Sequence, residues 1–451
     1  MNAKGPTSAR FILVVVTALL LVSAGFLARG AEKRTILTVY QNGPSLVVNT
    51  EEVSLTPGEN SLTRLIPSAA RPETLFVTSA EAELKKSHLV PALTSKGRLL
   101  EELIGTKVKV SRGGESEQQV EGKLVTVLDG DPLIESADGK FELVKNPAQF
   151  KFDAIDENKF SSKLVMELIS QSGGETDLTV AYQLSGLSWQ PQYVGFLNEE
   201  REKLYLRGTA HIMNETDRSF RGVELNLLAG EPAREKQSRN ALFMAAAQES
   251  AQAKGVAPPQ KVFEYYRYTP DFPVEVPEKV ATRVKFLERD SVDFKRYYRF
   301  EPASSSAVTT MVELDNSEET GLGLPLAGGT VRIYEDTAEK TFLGADALPN
   351  TPQGKEVKLE LGDAFDVEGT RKRMTHEKVG ERIWKDQITL ELKNRKEKSV
   401  QVKVIEGLRG SWEILKSSHD YEVLGSDRIQ YEEIVPAEGS LEISYTVQYR
   451  Y

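Results

Sequence analysis

Between Leu204 and Ile212 every second residue is apolar or small: Leu204, Leu206, Gly208, Ala210 and Ile212, with polar residues between them. Val223, Leu225 and Leu227 keep the same rhythm beyond the polar segment Asn214–Gly222. Successive strand side chains point to opposite faces, so period two marks a half-buried β-ribbon. The stretch from Tyr182 to Pro232 therefore reads as a strand, a corner at Trp189–Pro191, a second strand and a long hairpin that closes on Gly230. Similar alternation recurs along the chain, at Leu178–Leu184, Val308–Leu314, Val357–Leu361 and Leu441–Tyr449. Ile388, Leu390 and Leu392 are expected to face Val400, Val402 and Val404 across the charged turn Asn394–Lys398 as a hairpin. Further hairpins are read across Ser162–Ser185, with Gly173-Gly174 at the tip, and from Thr330–Tyr334 to Lys340–Leu343. No helical run is long enough to carry the crossover of a parallel sheet. The predicted fold class is all-β, mainly antiparallel.

A chain of 451 residues exceeds one ordinary core. Residues 1–30 form a separate object. Lys4 and Arg10 precede the uncharged run Phe11–Ala28, which reads as a signal peptide cleaved before Ala31. The run also has the length of a bilayer span, so a retained anchor is the alternative. Either reading places the rest of the chain outside the inner membrane, in the periplasm or cell envelope, with membrane contact only through that segment if it stays. Residues 31–98 read as an N-terminal β region. Residues 99–152 read as a small barrel-like module of the SH3 or OB kind, with a short helical entry at Leu99–Gly105 and turns at Asp129-Gly130 and Asp138-Gly139. Residues 153–451 read as the main β domain, with a C-terminal part like a β-sandwich. Its Ala-, Gln- and Lys-rich excursion at 233–259 is expected to be a surface loop with a short helix.

Charge and chemistry narrow the function classes. The formal charge of -10 argues against a nucleic-acid partner. With no cysteine there is neither a disulfide framework nor a thiolate metal site. Ser188 lacks the second glycine and following helix of a nucleophile elbow. His88, His211, His376 and His419 are scattered, and none has a metal-ligand spacing. The run around His376-Glu377 reads as a solvated charged loop. The glycines of Gly321–Thr330 read as turns, because a phosphate loop would need a Lys-Ser/Thr ending and a helix. No catalytic residue, metal site or cofactor is read. Two runs mix tyrosine with arginine: Tyr265, Tyr266, Arg267 and Tyr268, then Arg296, Tyr297, Tyr298 and Arg299. They could form a ligand platform for an envelope polysaccharide or protein, or be cross-strand pairs within a sheet. The three tryptophans read as structural anchors.

The run GLSWQPQY at Gly186–Tyr193, followed by ELNLLAGEP at Glu224–Pro232, resembles the bacterial proteins with domain of unknown function 4139, which include the mucoidy-inhibitor-like proteins. Leu99–Val110, Leu324–Val367 and Gln387–Ile405 fit the same pattern, so the resemblance spans essentially the whole exported chain. Gly186, Trp189, Pro191, Tyr193 and Gly230 stand out as its structural signature. The long coiled-coil hairpin of the mucoidy-inhibitor-like members is absent, and the barrel-like segment stands in its place. The resemblance implies a β fold and no established activity, catalytic residue or cofactor. The expected function is that of an exported envelope protein, non-catalytic, serving in binding or structure. The alternatives are an envelope hydrolase using carboxylates and a membrane-anchored assembly factor.

Overall fold

The computed structural model describes residues 34–112, 119–153, 155, 157–230 and 258–450. The 1–30 segment and residues 233–257 of the excursion lie outside them. Among the described residues there are thirty-one strands and a single α-helix, Lys96–Glu102. The all-β, mainly antiparallel expectation holds. Three strand pairings are parallel: Arg34–Tyr40 with Phe220–Ala229, Leu187–Asn198 with Gly329–Glu335, and Lys295–Phe300 with Val400–Gly407.

Each alternating run buries the residues its period implies. In Lys203–Asn214 the even-numbered residues from Leu204 to Ile212 are buried and the odd ones face outward. What alternation did not reveal was which sheet each strand joins. Lys203–Asn214 lies in a five-stranded sheet between Leu187–Asn198 and Ala281–Asp293, whereas Phe220–Ala229 lies in an eight-stranded sheet. The expected hairpin between these strands is instead a crossing from one sheet to the facing one. The same correction applies at Asn394–Lys398: Ile383–Asn394 and Val400–Gly407 belong to opposite sheets, and their apolar residues meet across a core. Lys163–Ser170 and Gly174–Leu184 also part at Gly173-Gly174 into two sheets. A strand facing its neighbour across a sandwich shows the same alternation as one beside it. The Gly329–Glu335 and Phe342–Leu348 pair is a hairpin as read.

Both sheet crossings are fastened by an asparagine. The Asn214 amide donates to the carbonyls of Arg218 (2.9 Å) and Val276 (3.1 Å), and its oxygen accepts from the Thr216 N–H (3.0 Å). Asn394 donates to the carbonyls of Lys398 (2.9 Å) and Pro436 (2.9 Å) and accepts from the Lys396 N–H (3.0 Å). These two corners mark a repeated connectivity. In the first sandwich Phe220–Ala229, Arg34–Tyr40, Ser45–Leu55 and Gly174–Leu184 are successive neighbours; in the second, Val400–Gly407, Lys295–Phe300, Val308–Leu314 and Val357–Asp363 take the same places. Parallel and antiparallel senses match at every step. The facing sheets also correspond, with Ala281–Asp293, Lys203–Asn214 and Leu187–Asn198 matched by Ser440–Arg450, Ile383–Asn394 and Val367–Gly380.

The first core is centred on aromatic rings. Trp189 meets Phe286 and Tyr268 edge-on at 5.5 and 6.2 Å, and Tyr193 meets Phe286 at 5.8 Å. The second core lies between the six- and four-stranded sheets and includes Ile388, Leu390, Val402, Val404, Tyr431 and Tyr445. A smaller core belongs to residues 99–152, which follow the N-terminal strands and precede Lys163–Ser170. That segment has five strands, and its Asp129-Gly130 turn has both residues at positive φ (52° and 92°). It is an open five-stranded sheet, not a closed barrel: the end strands Phe141–Leu143 and Pro147–Phe152 do not pair. A three-residue end strand offers too short a ladder to close one.

Candidate functional site

The two tyrosine–arginine runs do not form a joint platform. Tyr265–Tyr268 lies in the eight-stranded sheet and Lys295–Phe300 in the six-stranded one. Tyr268 and Tyr298 point into different cores, at 1% and 3% exposure, and Tyr297 is buried beneath the Lys403 ammonium, 4.4 Å from its ring centroid. The arginines are engaged locally: Arg267 with Gln260, Arg296 with Glu199, and Arg299 with Glu301 and Glu360. Tyr265 and Tyr266 remain half-buried at the sheet margin.

A different aromatic set comes together on the outer face of the five-stranded sheet. Phe196 and Tyr205 oppose each other in the antiparallel pair, Tyr334 sits beside Phe196 in the parallel pair, and Phe342 pairs with Tyr334. One ring from each of four adjacent strands thus forms a row. Ring centroids are 5.4 Å apart for Phe342 and Tyr334, and 5.9 Å for both Tyr334–Phe196 and Phe196–Tyr205. Phe196, Tyr205 and Tyr334 are out of phase with the buried positions of their strands, such as Tyr193, Leu204 and Ile333, and so face away from the core; Phe342 joins them across an irregularity in the register, which steps from Ile333–Gly344 to Tyr334–Phe342. Phe342, at 55% exposure, is its open end.

Polar groups border the row. Lys340 lies 4.8 Å from the Phe196 ring centroid and bonds Asp336 at 2.7 Å. Arg207 lies 5.6 Å from the Tyr205 centroid and pairs with Glu288 at 3.1 Å. Lys285 reaches Glu288 at 2.6 Å, and the Tyr205 hydroxyl also donates to it. Hydrogen bonds from Lys285, Tyr205 and Arg207 hold the Glu288 carboxyl down at about 2. Burial, then the bond to Glu288, raises the Tyr205 phenol. On the neighbouring strand Arg332 donates to the Gln192 side chain at 2.5 Å.

The family model for a domain of unknown function, DUF4139, matches residues 178–409. The chain belongs to this family. No curated protein matches it. The DUF4139 match contains all four residues of the row and the five signature residues. The structure gives four of the signature residues a mechanical task. Trp189 is fully buried and its indole N–H donates to the Leu228 carbonyl (3.1 Å), joining the two sheets of the sandwich. The Tyr193 hydroxyl donates to the Ala327 carbonyl (2.8 Å), fixing the entry to the Gly329 strand. Gly186 (φ 88°) lets its carbonyl accept from the Glu215 N–H (2.7 Å) at the asparagine corner. Gly230 (φ 115°) leaves room for Tyr265, whose ring carbon would lie 2.5 Å from a Cβ there.

Pro191 departs from its expected task. Leu187–Asn198 is one unbroken strand, so Pro191 is not a corner. Its missing N–H is tolerated because the parallel register with Gly329–Glu335 begins one residue later, at Gln192. Ser188 likewise sits within this DUF4139 strand, partly exposed on the outward side. The charged run around His376 is a strand, Val367–Gly380, at the edge of the four-stranded sheet. His376 stacks on Trp384 (4.5 Å between centroids) and bonds Asp386 at 2.5 Å. Among the described residues the most buried carboxylate is Glu406, 1% exposed, bonded by Arg371 at 3.0 Å and by the Tyr445 hydroxyl at 2.5 Å. Asp386, 6% exposed, is held by His376 and Arg373. Both carboxylates are thus engaged in ion pairs.

Proposed function

We propose that this DUF4139 protein is an exported, non-catalytic binding protein of the bacterial envelope, and that the row Phe342–Tyr334–Phe196–Tyr205 is its contact face. The row is the observation that carries the reading. Aromatic rings offer large apolar area at low conformational cost, and an extended partner laid across four strands would cover all of them. Export is supported by the uncharged run Phe11–Ala28 after two basic residues. Partners of this kind are envelope polysaccharides or envelope proteins. A serine nucleophile draws no support from Ser188, nor a hydrolytic carboxylate pair from Glu406 and Asp386, both engaged in ion pairs.

The test is affinity capture from envelope extract with the purified protein, alongside a Tyr334→Ala/Phe342→Ala variant. A component retained by the parent and lost with the variant is expected. Retention of the same components by both proteins would remove the row from the reading. Sequencing the N-terminus of protein recovered from cells addresses export separately: cleavage before Ala31 is expected, and an intact N-terminus in the cytoplasm contradicts it.

A further inference from the structure

We infer that the partner on this outer sheet face is an acidic stretch of another envelope protein, with its carboxylates on a cationic patch beside the aromatic row and its apolar side chains on the row itself. This rests on the binding role proposed above and names its partner class. Three features carry it.

The first is a charge imbalance on one side of the row. In the ladder beside it Glu288, Arg207, Val194 and Arg332 are successive partners across four strands, and the next ladders bring Lys285 opposite Thr209 and Arg283 opposite His211. Four cations thus share these ladders with a single carboxylate, Glu288, in a chain whose formal charge is -10. On the other side of the row the charges are matched, Lys203 with Asp293 and Lys340 with Asp336.

The second is what the cations lack. Arg207 and Lys285 share Glu288, Arg332 bonds the uncharged Gln192, and Arg283 is exposed with no ion pair among the described residues. A guanidinium takes a carboxylate on two parallel N–H groups, so Arg283 and Arg332 each offer a place that this chain does not fill. The third is the rings. Their planes are tilted by 36°, 36° and 60° along the row, and Lys340 and Arg207 already lie over the Phe196 and Tyr205 rings. No common flat platform is left for stacked sugars. Apolar protein side chains pack against ring edges, and tyrosine with arginine is the composition of protein contact centres.

Fluorescence anisotropy with the purified full chain tests the inference. The probe is a labelled random glutamate–tyrosine copolymer, set against two other anionic probes, labelled dextran sulfate and labelled phosphatidylglycerol vesicles. The expected result is binding of the copolymer, weakened by salt and tighter than that of either other probe. Arg283→Glu/Arg332→Glu is expected to weaken it about tenfold or more, and Tyr334→Ala/Phe342→Ala to weaken it as well. Lys123→Glu/Lys416→Glu, the same charge change at exposed lysines elsewhere, is expected to bind like the parent. Circular dichroism confirms the folds; should the Arg332 variant unfold, Arg283→Glu alone, at an exposed position, takes its place. Equal weakening by both charge-reversal pairs reduces the effect to net charge and overturns the inference. Tighter, patch-dependent binding of dextran sulfate or of the vesicles overturns the protein class. Capture from envelope extract that depends on Tyr334 and Phe342 but survives Arg283→Glu/Arg332→Glu overturns the acidic partner and leaves the binding role standing. Failure to find any row-dependent partner overturns both.

Discussion

Asn214 and Asn394 are each almost wholly buried, and each closes its corner by accepting a main-chain N–H and donating to main-chain carbonyls, two for Asn214 and three for Asn394. Removing either amide strands buried polar groups, at about 1–3 kcal/mol each. Asn394→Ala and Asn214→Ala are therefore expected to lower unfolding stability by about 2–3 kcal/mol in urea. A loss below about 0.5 kcal/mol would show that the corners hold without them. Arg371 plays a related part at Glu406, whose carboxylate is buried behind it. Arg371→Met leaves that charge uncompensated and is expected to cost about 3–5 kcal/mol, while Arg371→Met with Glu406→Leu costs much less. Similar losses for the single and double variants would contradict this. Glu288 gives a pH signature. Its folded carboxyl lies at about 2, below the ordinary 4.5, so the stability it contributes is fully present above about 4.5 and lost as pH falls through 2. A side-chain carbon titration of Glu288 should show ionisation persisting at pH 3.5; a midpoint near 4.5 would mean that the network with Lys285, Tyr205 and Arg207 does not form.

At the scale of elements, strands and their buried faces were legible because alternation is a local property. Sheet membership was not, because the polar segments after Asn214 and Asn394 read equally well as hairpin turns or as sandwich corners. The parallel pairs were hidden for a related reason. Arg34–Tyr40 and Phe220–Ala229 are far apart in sequence, and no helix announces the connection. The kink between Lys163–Ser170 and Gly174–Leu184 illustrates what a corner demands. Gly173 has φ 71°, and a Cβ there would lie 2.7 Å from the Pro57 ring, where the neighbouring chain turns at the same level. Gly58, at φ 96°, has open space around it. Gly173→Ala is expected to destabilise by about 1–3 kcal/mol more than Gly58→Ala, because it adds overlap to backbone strain. Equal losses in parallel thermal or urea melts would show that the two turns do not meet.

Across the whole molecule, two sandwiches of one connectivity share the chain, and the aromatic row lies on the first. The aromatic patches foreseen from sequence were contiguous runs. The row draws on residues 196, 205, 334 and 342, and only the parallel pairing of Phe196 with Tyr334 joins its halves. Its one local trace was the outward phase of Phe196 and Tyr205 within strands whose other residues are so clearly inward. The most direct measurement is equilibrium binding of the component captured from envelope extract by four single variants, Phe196→Ala, Tyr205→Ala, Tyr334→Ala and Phe342→Ala. Phe272→Ala, an exposed aromatic on another strand connection, serves as the control. Each row variant is expected to weaken binding by about 0.5–1.5 kcal/mol while the control binds like the parent. Parental affinity in all four row variants would contradict the assignment of this face.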